Sequence, residues 1–339
     1  MIYLVYANPW TYVGHASFTS HLYRGLYRAG EDVTILKPAK NTETFDRDFG
    51  FGLRYWNTTV EDIKRAKGIK IITGISKPMK DAINDLLGQH RMTMVVHDWT
   101  EIASQGWDMG LVQRRMHFVI RKSMLDHFPD AHYIVQPYMR QFENDDVLTS
   151  EGRTKAALSI SRIDFHKNIH LMLDANRKVR AQRDKIDIFG SENRMYTRFQ
   201  IMPKYPEWVQ GGTRFPKEFG NAAKLCRNYV FMCDMTVLPH DGGGTQYTFM
   251  EAMDAGTIPI LHEKWTFRKK QDEIKPGKNC FMVADADELA FYIKGAVPKA
   301  KKDIIDLTSL DRIRRNNVQL LKRHDAVHSA HQLLHLFGE

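Results

Sequence analysis

The segment from residue 235 to residue 263 constrains the fold more than any other part of the sequence. It reads MTVLPHDGGGTQYTFMEAMDAGTIPILHE: an apolar strand, a loop with three consecutive glycines, a helix that stops at Gly256 and a second apolar strand. Glycines let the backbone approach a ligand closely, and the N-terminus of the following helix favours an anion. The pattern predicts an α/β unit with either a phosphate site at the loop or an ordinary flexible loop capped by Thr245.

Length and charge bound the remaining possibilities. A chain of 339 residues, 43% of them hydrophobic, is long enough to fill two domains. Its 49 lysines and arginines exceed its 40 acidic residues by 9, which favours either a polyanionic partner or a solvated basic surface. The three cysteines (Cys226, Cys233 and Cys280) have no metal-ligand spacing, and no signal peptide or spanning segment is visible, so we expect a cytoplasmic protein.

Strand and helix signals alternate in two series separated by a polar, turn-rich segment at 140–156. Apolar runs indicate strands at 1–7, 32–38, 69–75, 92–98 and 131–137 before this segment, and at 157–163, 185–191, 235–241, 257–263 and 279–285 after it. Helices are expected at about 17–29, 168–182 and 217–227. Such alternation is typical of parallel sheets, so the pattern predicts two α/β domains.

The helix after the glycines resembles a known family. The run TQYTFMEAMDAGTIPIL (245–261) resembles the nucleotide-sugar helix of retaining GT-B glycosyltransferases. The stretches VGHASFTSHLYRGLYRAGEDVTIL (13–36) and VVHDWTE (95–101) are similar to the DNA α-glucosyltransferases of T-even bacteriophages within that family. The resemblance implies a GT-B fold: two Rossmann-like domains, at 1–150 and 151–308, with parallel sheets facing across a cleft. It also implies a C-terminal helix, within 309–339, that returns toward the first domain.

The same resemblance implies a function. A sugar, expected to be glucose, would pass with retention from a UDP-sugar to 5-hydroxymethylcytosine or 5-hydroxymethyluracil in duplex phage DNA. It implies a monomer that needs no tightly bound cofactor, divalent metal or membrane. Two other functions stay open. One is a GT-B enzyme with a lipid-linked or cell-envelope acceptor, which a basic amphipathic helix at 114–125 would favour. The other is a DNA-binding protein that has lost catalysis.

The resemblance also implies which residues bind the UDP-sugar donor. The resemblance implies that Glu251 accepts hydrogen bonds from the ribose hydroxyls, although a glutamate in the N-terminal half of a helix also complements the helix dipole. It implies that Arg162 and Lys167 neutralise the diphosphate, although each is also compatible with a solvated surface charge. The nucleotide-sugar residues are expected to be Gly14, Arg162, Lys167, Phe189, Gly190, Gly243, Gly244, Thr245, Gln246, Tyr247 and Glu251. Many relatives carry a second glutamate where Gly243 stands, so the sequence leaves the sugar open.

The expected catalytic residues are His97, Asp98, Arg162 and Lys167. His97 and Asp98 end a predicted strand, and the resemblance places such a pair beside the sugar and the acceptor hydroxyl. The histidine or the aspartate would act as base or stabilise charge, and Asp98 is equally suited to cap a helix. The expected DNA-binding residues are Trp99, Arg114, Arg115, Lys264, Arg268 and Lys269, although a tryptophan in such a loop also serves packing.

Overall fold

A computed structural model describes residues 1–8, 14–38, 53–75, 79–88, 92–98, 108–142, 152–208, 221–237, 246–265, 273–294, 296 and 307–338. The chain divides into two compact units, one formed by Met1–Met139 with Lys322–Glu339 and the other by Arg140–Leu321. The division falls at residue 140, earlier than the expected boundary at 150. Arg140 and Gln141 belong to the second unit because both bind the buried carboxylate of Asp254.

The first unit contains a parallel sheet in the strand order β3-β2-β1-β4-β5-β6-β7. Its strands are β1 (Ile2–Tyr6), β2 (Val33–Lys37), β3 (Tyr55–Asn57), β4 (Ile69–Gly74), β5 (Met92–Val96), β6 (His117–Val119) and β7 (His132–Tyr133). Its first helices are α1 (Gly14–Arg28), α2 (Val60–Arg65), α3 (Lys80–Leu87) and α4 (Met109–Gln113). Every residue of β1, β2 and β5 is buried, which explains why these strands are near-continuous apolar runs.

The second unit contains a parallel sheet in the order β12-β11-β10-β8-β9. Its strands are β8 (Lys155–Ile160), β9 (Ile186–Phe189), β10 (Tyr229–Asp234), β11 (Ile258–His262) and β12 (Phe281–Val283). Its helices are α5 (Ile169–Arg177), α6 (Arg194–Tyr196), α7 (Asn221–Cys226), α8 (Tyr247–Asp254), α9 (Ala286–Ile293) and α10 (Leu307–Arg323). The prediction of an α/β fold with parallel sheets is confirmed.

The predicted C-terminal helix at about 309–337 is wrong as a single element. A second helix, α11 (Ala326–Gly338), follows α10 after a break at His324 and Asp325. The Asp325 carboxylate accepts from the backbone N–H groups of Val327 (2.9 Å) and His328 (3.1 Å), so it caps the new helix. Tyr138 stabilises the break, because its N–H donates to the carbonyl of His324 and its own carbonyl accepts from the N–H of Ala326. The final helix packs on α1 within the first unit.

Two other expectations are wrong in register or type. Of the strand predicted at 235–241, residues 235–237 are not in a strand and residues 238–241 lie outside the described ones. The strand that precedes them is Tyr229–Asp234, whose residues are all buried, between β8 and β11. The segment at 114–125 is not an amphipathic helix: it forms β6 and then a 3-10 turn at Lys122–Asp126. His117, Phe118 and Val119 are consecutive buried residues, which suits a strand inside a sheet rather than a half-buried helix.

Candidate functional site

The strand order of the second sheet marks a ligand-binding position within that unit. β8 is flanked by β9 on one side and by β10 on the other, so the connections leave the sheet in opposite directions between β8 and β10. Ligands of open parallel sheets bind outside the carboxyl ends of the strands at such a point. The residues at 161–168 follow β8, and those at 235–237 follow β10 and lead into the glycine loop. Gly243, Gly244 and Thr245 lie outside the described residues.

Lys167 is fixed by the end of β10. Its ammonium donates to the hydroxyl oxygen of Thr236 (2.8 Å) and lies 3.5 Å from a carboxylate oxygen of Asp234. Asp234 is buried, and it also accepts from the backbone N–H (2.9 Å) and the hydroxyl of Thr236. The lysine therefore presents a positioned charge directly before the glycine loop. Sequence analysis missed Asp234 and Thr236 because they meet Lys167 across a long stretch of chain, 69 positions in the case of Thr236.

The same two segments are joined at Asn168. This residue has a left-handed backbone (φ 45°, ψ 43°), and its side-chain amide donates to the carbonyl of Met235 (2.9 Å). The N–H of Val237 donates to the carbonyl of His166 (3.3 Å). Asparagine tolerates this conformation better than most residues. The loop after β8 and the approach to the glycine loop are thus held together by hydrogen bonds.

Arg162 contrasts with Lys167, because its side chain is exposed. Within the described part of the chain, no carboxylate forms an ion pair with its guanidinium. Its neighbours are nevertheless rigid: the N–H of Ile163 donates to Ser191 (2.9 Å), and the N–H of Asn193 donates back to Ile163 (2.9 Å). A fixed backbone with an exposed guanidinium suits recognition of a phosphate that arrives from solvent.

Phe189 and Gly190 serve the packing of the sheet. Phe189 is buried and its ring meets Tyr229 edge-on, with centroids 6.5 Å apart. A Cβ atom on Gly190 would lie 1.7 Å from the carbonyl oxygen of Ser161, so only glycine fits where the ends of β8 and β9 converge. These contacts explain both residues without a ligand, and their predicted role in nucleotide binding stays a prediction.

Replacing Gly190 with alanine should destabilise the second unit. The Ser161 oxygen is backbone and cannot rotate away, so we expect a loss of about 3 kcal/mol and a fall in unfolding midpoint of roughly 6–12 °C. Thermal unfolding followed by circular dichroism would measure it. Gly14→Ala is the matched control, since nothing lies within 4 Å of a Cβ atom there. Equal midpoints for the two variants would contradict this account.

Helix α8 carries the predicted ribose ligand. Its N-cap is Gln246, whose side chain makes no capping hydrogen bond, and Tyr247 is buried at its first turn. Glu251 lies near the other end of the helix and is partly exposed. The helix ends at Gly256, as the sequence predicts, in a left-handed conformation (φ 71°) that brings the N–H of Thr257 to 2.8 Å from the carbonyl of Ala252.

Buried charges that the sequence did not reveal surround the C-terminal end of α8. Asp254 is fully buried and pairs with Arg140, with 3.0 Å between Oδ1 and Nε. Arg153 donates to the carbonyl of Ala255 (2.7 Å), and Arg314 donates to that of Gly256 (2.8 Å). Cations at this end satisfy the last carbonyls and complement the helix dipole. They hold the helix that presents Glu251.

The surroundings of Glu251 change its acidity. Although part of the Glu251 side chain reaches solvent, the surrounding protein removes water from its carboxyl group, and this desolvation, followed by the negative charge of Asp254, raises the pKa of Glu251 to about 8. A carboxyl in such a site is neutral at pH 7 until a partner favours its ionised form. Strongly shifted groups of this kind are enriched at functional sites.

His97 has a fixed orientation at the end of β5 in the first unit. Its Nε2 atom lies 2.9 Å from the carbonyl oxygen of Thr73, which can only accept, so Nε2 carries the proton. The imidazole packs between two residues of α1: the His15 ring at 4.4 Å and the Phe18 ring, edge-on, at 4.8 Å. In the neutral ring the lone pair therefore belongs to Nδ1. The predicted catalytic role of His97 stays a prediction.

Asp98 follows His97 and is partly exposed. One of its oxygens lies 3.9 Å from Nη1 of Arg121. Gly14 starts α1 with open space around it, and the neighbouring His15 contacts His97. The structure thus brings Gly14, His97 and Asp98 to one edge of the first sheet. The capping arrangement proposed for Asp98 involves residues beyond the described ones.

The predicted DNA-binding residues differ in their surroundings. Arg115 caps α3, because it donates to the carbonyls of Leu87 and Gly88 at 2.8 Å each. Arg114 is exposed and bonds to Gly110 in its own helix (2.8 Å), while Lys264 is exposed. Trp99, Arg268 and Lys269 lie outside the described residues. The contacts of Arg115 supply a structural reason for its presence, and the DNA-binding set as a whole stays a prediction.

The described residues offer neither a metal site nor a membrane-spanning helix. They contain no group of three or more histidine, cysteine, aspartate or glutamate side chains arranged to hold a metal ion. Nor do they include a helix that is both long and apolar enough to cross a bilayer. The three cysteines are buried and free.

Comparison with known proteins gives likeness in structure only. No protein-family model and no curated sequence matches the chain. The structure is similar to that of Anabaena Alr3699/HepE in complex with UDP and glucose, with a TM-score of 0.70 and 11% identity over 99% of both chains. It is also similar to an alpha-glucosyltransferase in complex with UDP, with a TM-score of 0.72 and 14% identity over 100% of this chain and 99% of the other.

A further similar structure is an alpha-glucosyltransferase in complex with UDP-glucose and DNA that contains an abasic site. Its TM-score is 0.70, at 15% identity over 100% of this chain and 99% of that one. These likenesses confirm the predicted GT-B fold and the resemblance from which it was inferred. At such low identity they establish the fold and not the activity.

Proposed function

We propose that this chain is a glycosyltransferase that uses a UDP-sugar donor, with UDP-glucose as the expected one. The observation that carries the proposal is the convergence of Arg162, Lys167 and the approach to the glycine loop at the switch point of the second sheet. The fold adds support, since similar structures were determined with UDP or UDP-glucose bound. In this proposal the two cations and the loop, including Gly243, Gly244 and Thr245, bind the diphosphate, and Glu251 binds the ribose.

We propose duplex DNA with a hydroxymethylated pyrimidine as the acceptor, and retention of configuration. The support is the match of 95–101 and 245–261 to the phage enzymes, the similar structure that holds DNA, and the net charge of +9. The segment at 114–125 forms a strand and a 3-10 turn, so it is not the amphipathic helix that would have favoured a lipid-linked acceptor. A monomeric protein in the cytoplasm, with no metal requirement, belongs to the same proposal.

The test is incubation with UDP-glucose and duplex DNA that contains 5-hydroxymethylcytosine or 5-hydroxymethyluracil. Mass spectrometry of the released nucleosides should show the added hexose, and UDP should form in equal amount. Unmodified duplex DNA is the matched control acceptor, and EDTA tests the independence from metal. Transfer to a lipid-linked acceptor without transfer to modified DNA would reject the acceptor and leave the donor proposal standing.

Binding of DNA should depend steeply on salt. Each phosphate contact releases counterions, so an interface with about six contacts loses roughly 10³-fold in affinity between 50 and 200 mM salt. Fluorescence anisotropy with a labelled duplex at several salt concentrations would give the slope. A flat dependence would mean that the basic surface does not contact the phosphates.

Binding of UDP should release a proton through Glu251. The ribose hydroxyls donate to an ionised carboxylate, whereas Glu251 has a pKa of about 8 in the free protein and is mostly neutral at pH 7. We therefore expect the affinity for UDP to rise with pH up to about pH 8, by at most about tenfold per pH unit. Titration calorimetry in two buffers with different ionisation enthalpies would count the proton.

Glu251→Gln is the control for this linkage. The variant should bind UDP more weakly, with no proton released and no dependence on pH between about 7 and 8, where the terminal phosphate of UDP (second pKa about 6) is already ionised. It should also change stability: because the folded pKa lies above the unfolded value of 4.5, the wild-type Glu251 carboxyl makes a contribution to stability that is fully present below pH 4.5 and is lost as the pH rises to about 8. The variant should lack that loss. Proton release that persists in the variant would assign the linkage to another group.

A further inference from the structure

Exposed apolar side chains cluster on one short segment of the second unit. Met195, Phe199 and Met202 expose 62%, 56% and 58% of their surfaces. Their spacing of four and three residues places them in one row along a helix. Among the residues between them, Tyr196, Thr197 and Ile201 are buried, whereas Arg198 and Gln200 are exposed beside the apolar side chains. The row is therefore an outward face, which we call the 195–202 face.

The backbone of this face is unusual. After α6 the chain continues as a π-helical turn at Thr197–Ile201. Such turns are rare and occur preferentially at functional sites. Here the widened turn sits between buried Tyr196 and buried Ile201 while Phe199 points to solvent. Burial of apolar surface cannot explain three outward-facing large apolar side chains in a row, so a partner is the more direct explanation.

Cations accompany the apolar row. Arg194, Arg198 and Lys204 are all exposed, and the sequence has no acidic residue between Glu192 and Glu207. Glu207 is itself paired with Arg177, with 2.6 Å between Oε1 and Nε. The guanidinium of Arg198 lies over the Phe199 ring, 5.5 Å from its centroid. The 195–202 face is therefore both apolar and positively charged, which fits an anionic partner.

The face adjoins the loop that carries Arg162 and Lys167. The Phe165 ring, on that loop, lies 4.9 Å from the Tyr196 ring. Asn193, which caps α6, donates its side-chain amide to a carboxylate oxygen of Asp164 (3.1 Å). A partner on the 195–202 face would thus lie next to the proposed donor site. The acceptor is the anionic molecule that has to reach that site.

An anionic bilayer and duplex DNA are the two anionic partners to compare, by the strength of binding that this face could supply. A bilayer needs more than this face offers, because even a whole myristoyl chain gives only marginal binding and these are three partly exposed side chains. Duplex DNA gains from every additional cation on a basic protein, and methionine or phenylalanine side chains are common wedges between base steps in the minor groove. A wedge also suits an enzyme whose target base has to leave the stack.

We propose that the 195–202 face is a docking surface for duplex DNA, in which Arg194 and Arg198 contact phosphates and Phe199 contacts the bases. The proposal rests on the proposed function for its choice of partner. It assigns separate tasks to the two kinds of side chain. The arginines should control the dependence on salt, and the phenylalanine should add affinity that salt does not change.

The experiment measures binding of an unmodified labelled duplex by anisotropy across a salt series. Arg194→Gln combined with Arg198→Gln should lower the magnitude of the salt slope by about 2 and weaken binding at least tenfold at low salt. Phe199→Ala should weaken binding about tenfold and leave the slope unchanged. Phe291→Ala and Arg180→Gln are the matched controls, because both residues are exposed in the same unit. Phe291 is 71% exposed, and Asp287 and Glu288 precede it by four and three positions on its helix. The controls should bind like the wild type.

Several outcomes would overturn the proposal. One is wild-type affinity in the Phe199 and arginine variants, and another is an equal loss in the two controls. Loss of binding to phosphatidylglycerol vesicles with duplex binding intact would assign the face to lipid instead. The transfer assay separates this proposal from the proposed function. Transfer to modified DNA with unchanged duplex binding in the variants would reject only the face, and duplex binding through the face without transfer would reject only the function.

Discussion

Replacing Arg162 with alanine is expected to slow glycosyl transfer by roughly 30-fold to 1000-fold. The guanidinium would stabilise charge on the departing UDP, and a lost group of this kind costs about 2–4 kcal/mol of transition-state stabilisation. Because Arg162 is exposed and pairs with no carboxylate among the described residues, the variant should fold as stably as the wild type. The measurement is the single-turnover rate at saturating UDP-glucose and modified DNA, with Arg180→Ala as the exposed-arginine control.

Lys167→Ala should lose a similar factor in rate, but it should also lose stability. Removal of the ammonium leaves the buried Asp234 carboxylate without its cation, at a cost of about 3 kcal/mol. The double variant Lys167→Ala with Asp234→Asn removes that charge and should recover most of the stability while staying slow. Recovery of the rate in the double variant would show that Lys167 serves only the fold. A wild-type rate in both Arg162→Ala and Lys167→Ala would reject the donor site.

Structural features with a local sequence pattern could be predicted, and features without one could not. The positions of strands were predictable where strands are buried on both faces, as in β1 and β5, because they appear as unbroken apolar runs. Short strands at the sheet margin, such as β3 with its exposed Trp56, carry no such signal and were missed. Arg162, Lys167 and Glu251 were predicted because the local sequence around them resembles a known family, and their roles stay predictions.

The long-range contacts that hold α8 were not predictable from the sequence, for a physical reason. Asp254 meets Arg140 across 114 positions of chain. Such pairs depend on which loops the fold brings together, and no local period or propensity records that. The same holds for acidity: Glu251 is an ordinary glutamate in sequence, and its pKa rises only because the folded chain removes water and places Asp254 nearby.

His97 and Asp98 are expected to act in the chemical step and not in binding of UDP. Both lie in the first unit, whereas the proposed UDP ligands Arg162, Lys167 and Glu251 lie in the second. His97→Ala and Asp98→Ala should therefore keep the affinity for UDP within a few-fold, as measured by calorimetry. The rate of transfer with saturating donor and DNA should fall by about a hundredfold or more, as for a lost acid, base or charge-stabilising group.

The hydrogen bond from His97 to Thr73 sharpens this prediction. Since Nε2 donates to the Thr73 carbonyl at 2.9 Å, we expect Nδ1 to be the atom of His97 that takes part in the chemical step. Glutamine can place an amide near Nε2, and asparagine can place one near Nδ1. His97→Gln should therefore keep the Thr73 bond and the fold but stay as slow as alanine, whereas His97→Asn should retain part of the rate. If glutamine were the faster of the two, His97 would act by holding the end of β4, and Asp98 would be left as the group that meets the sugar or the acceptor hydroxyl.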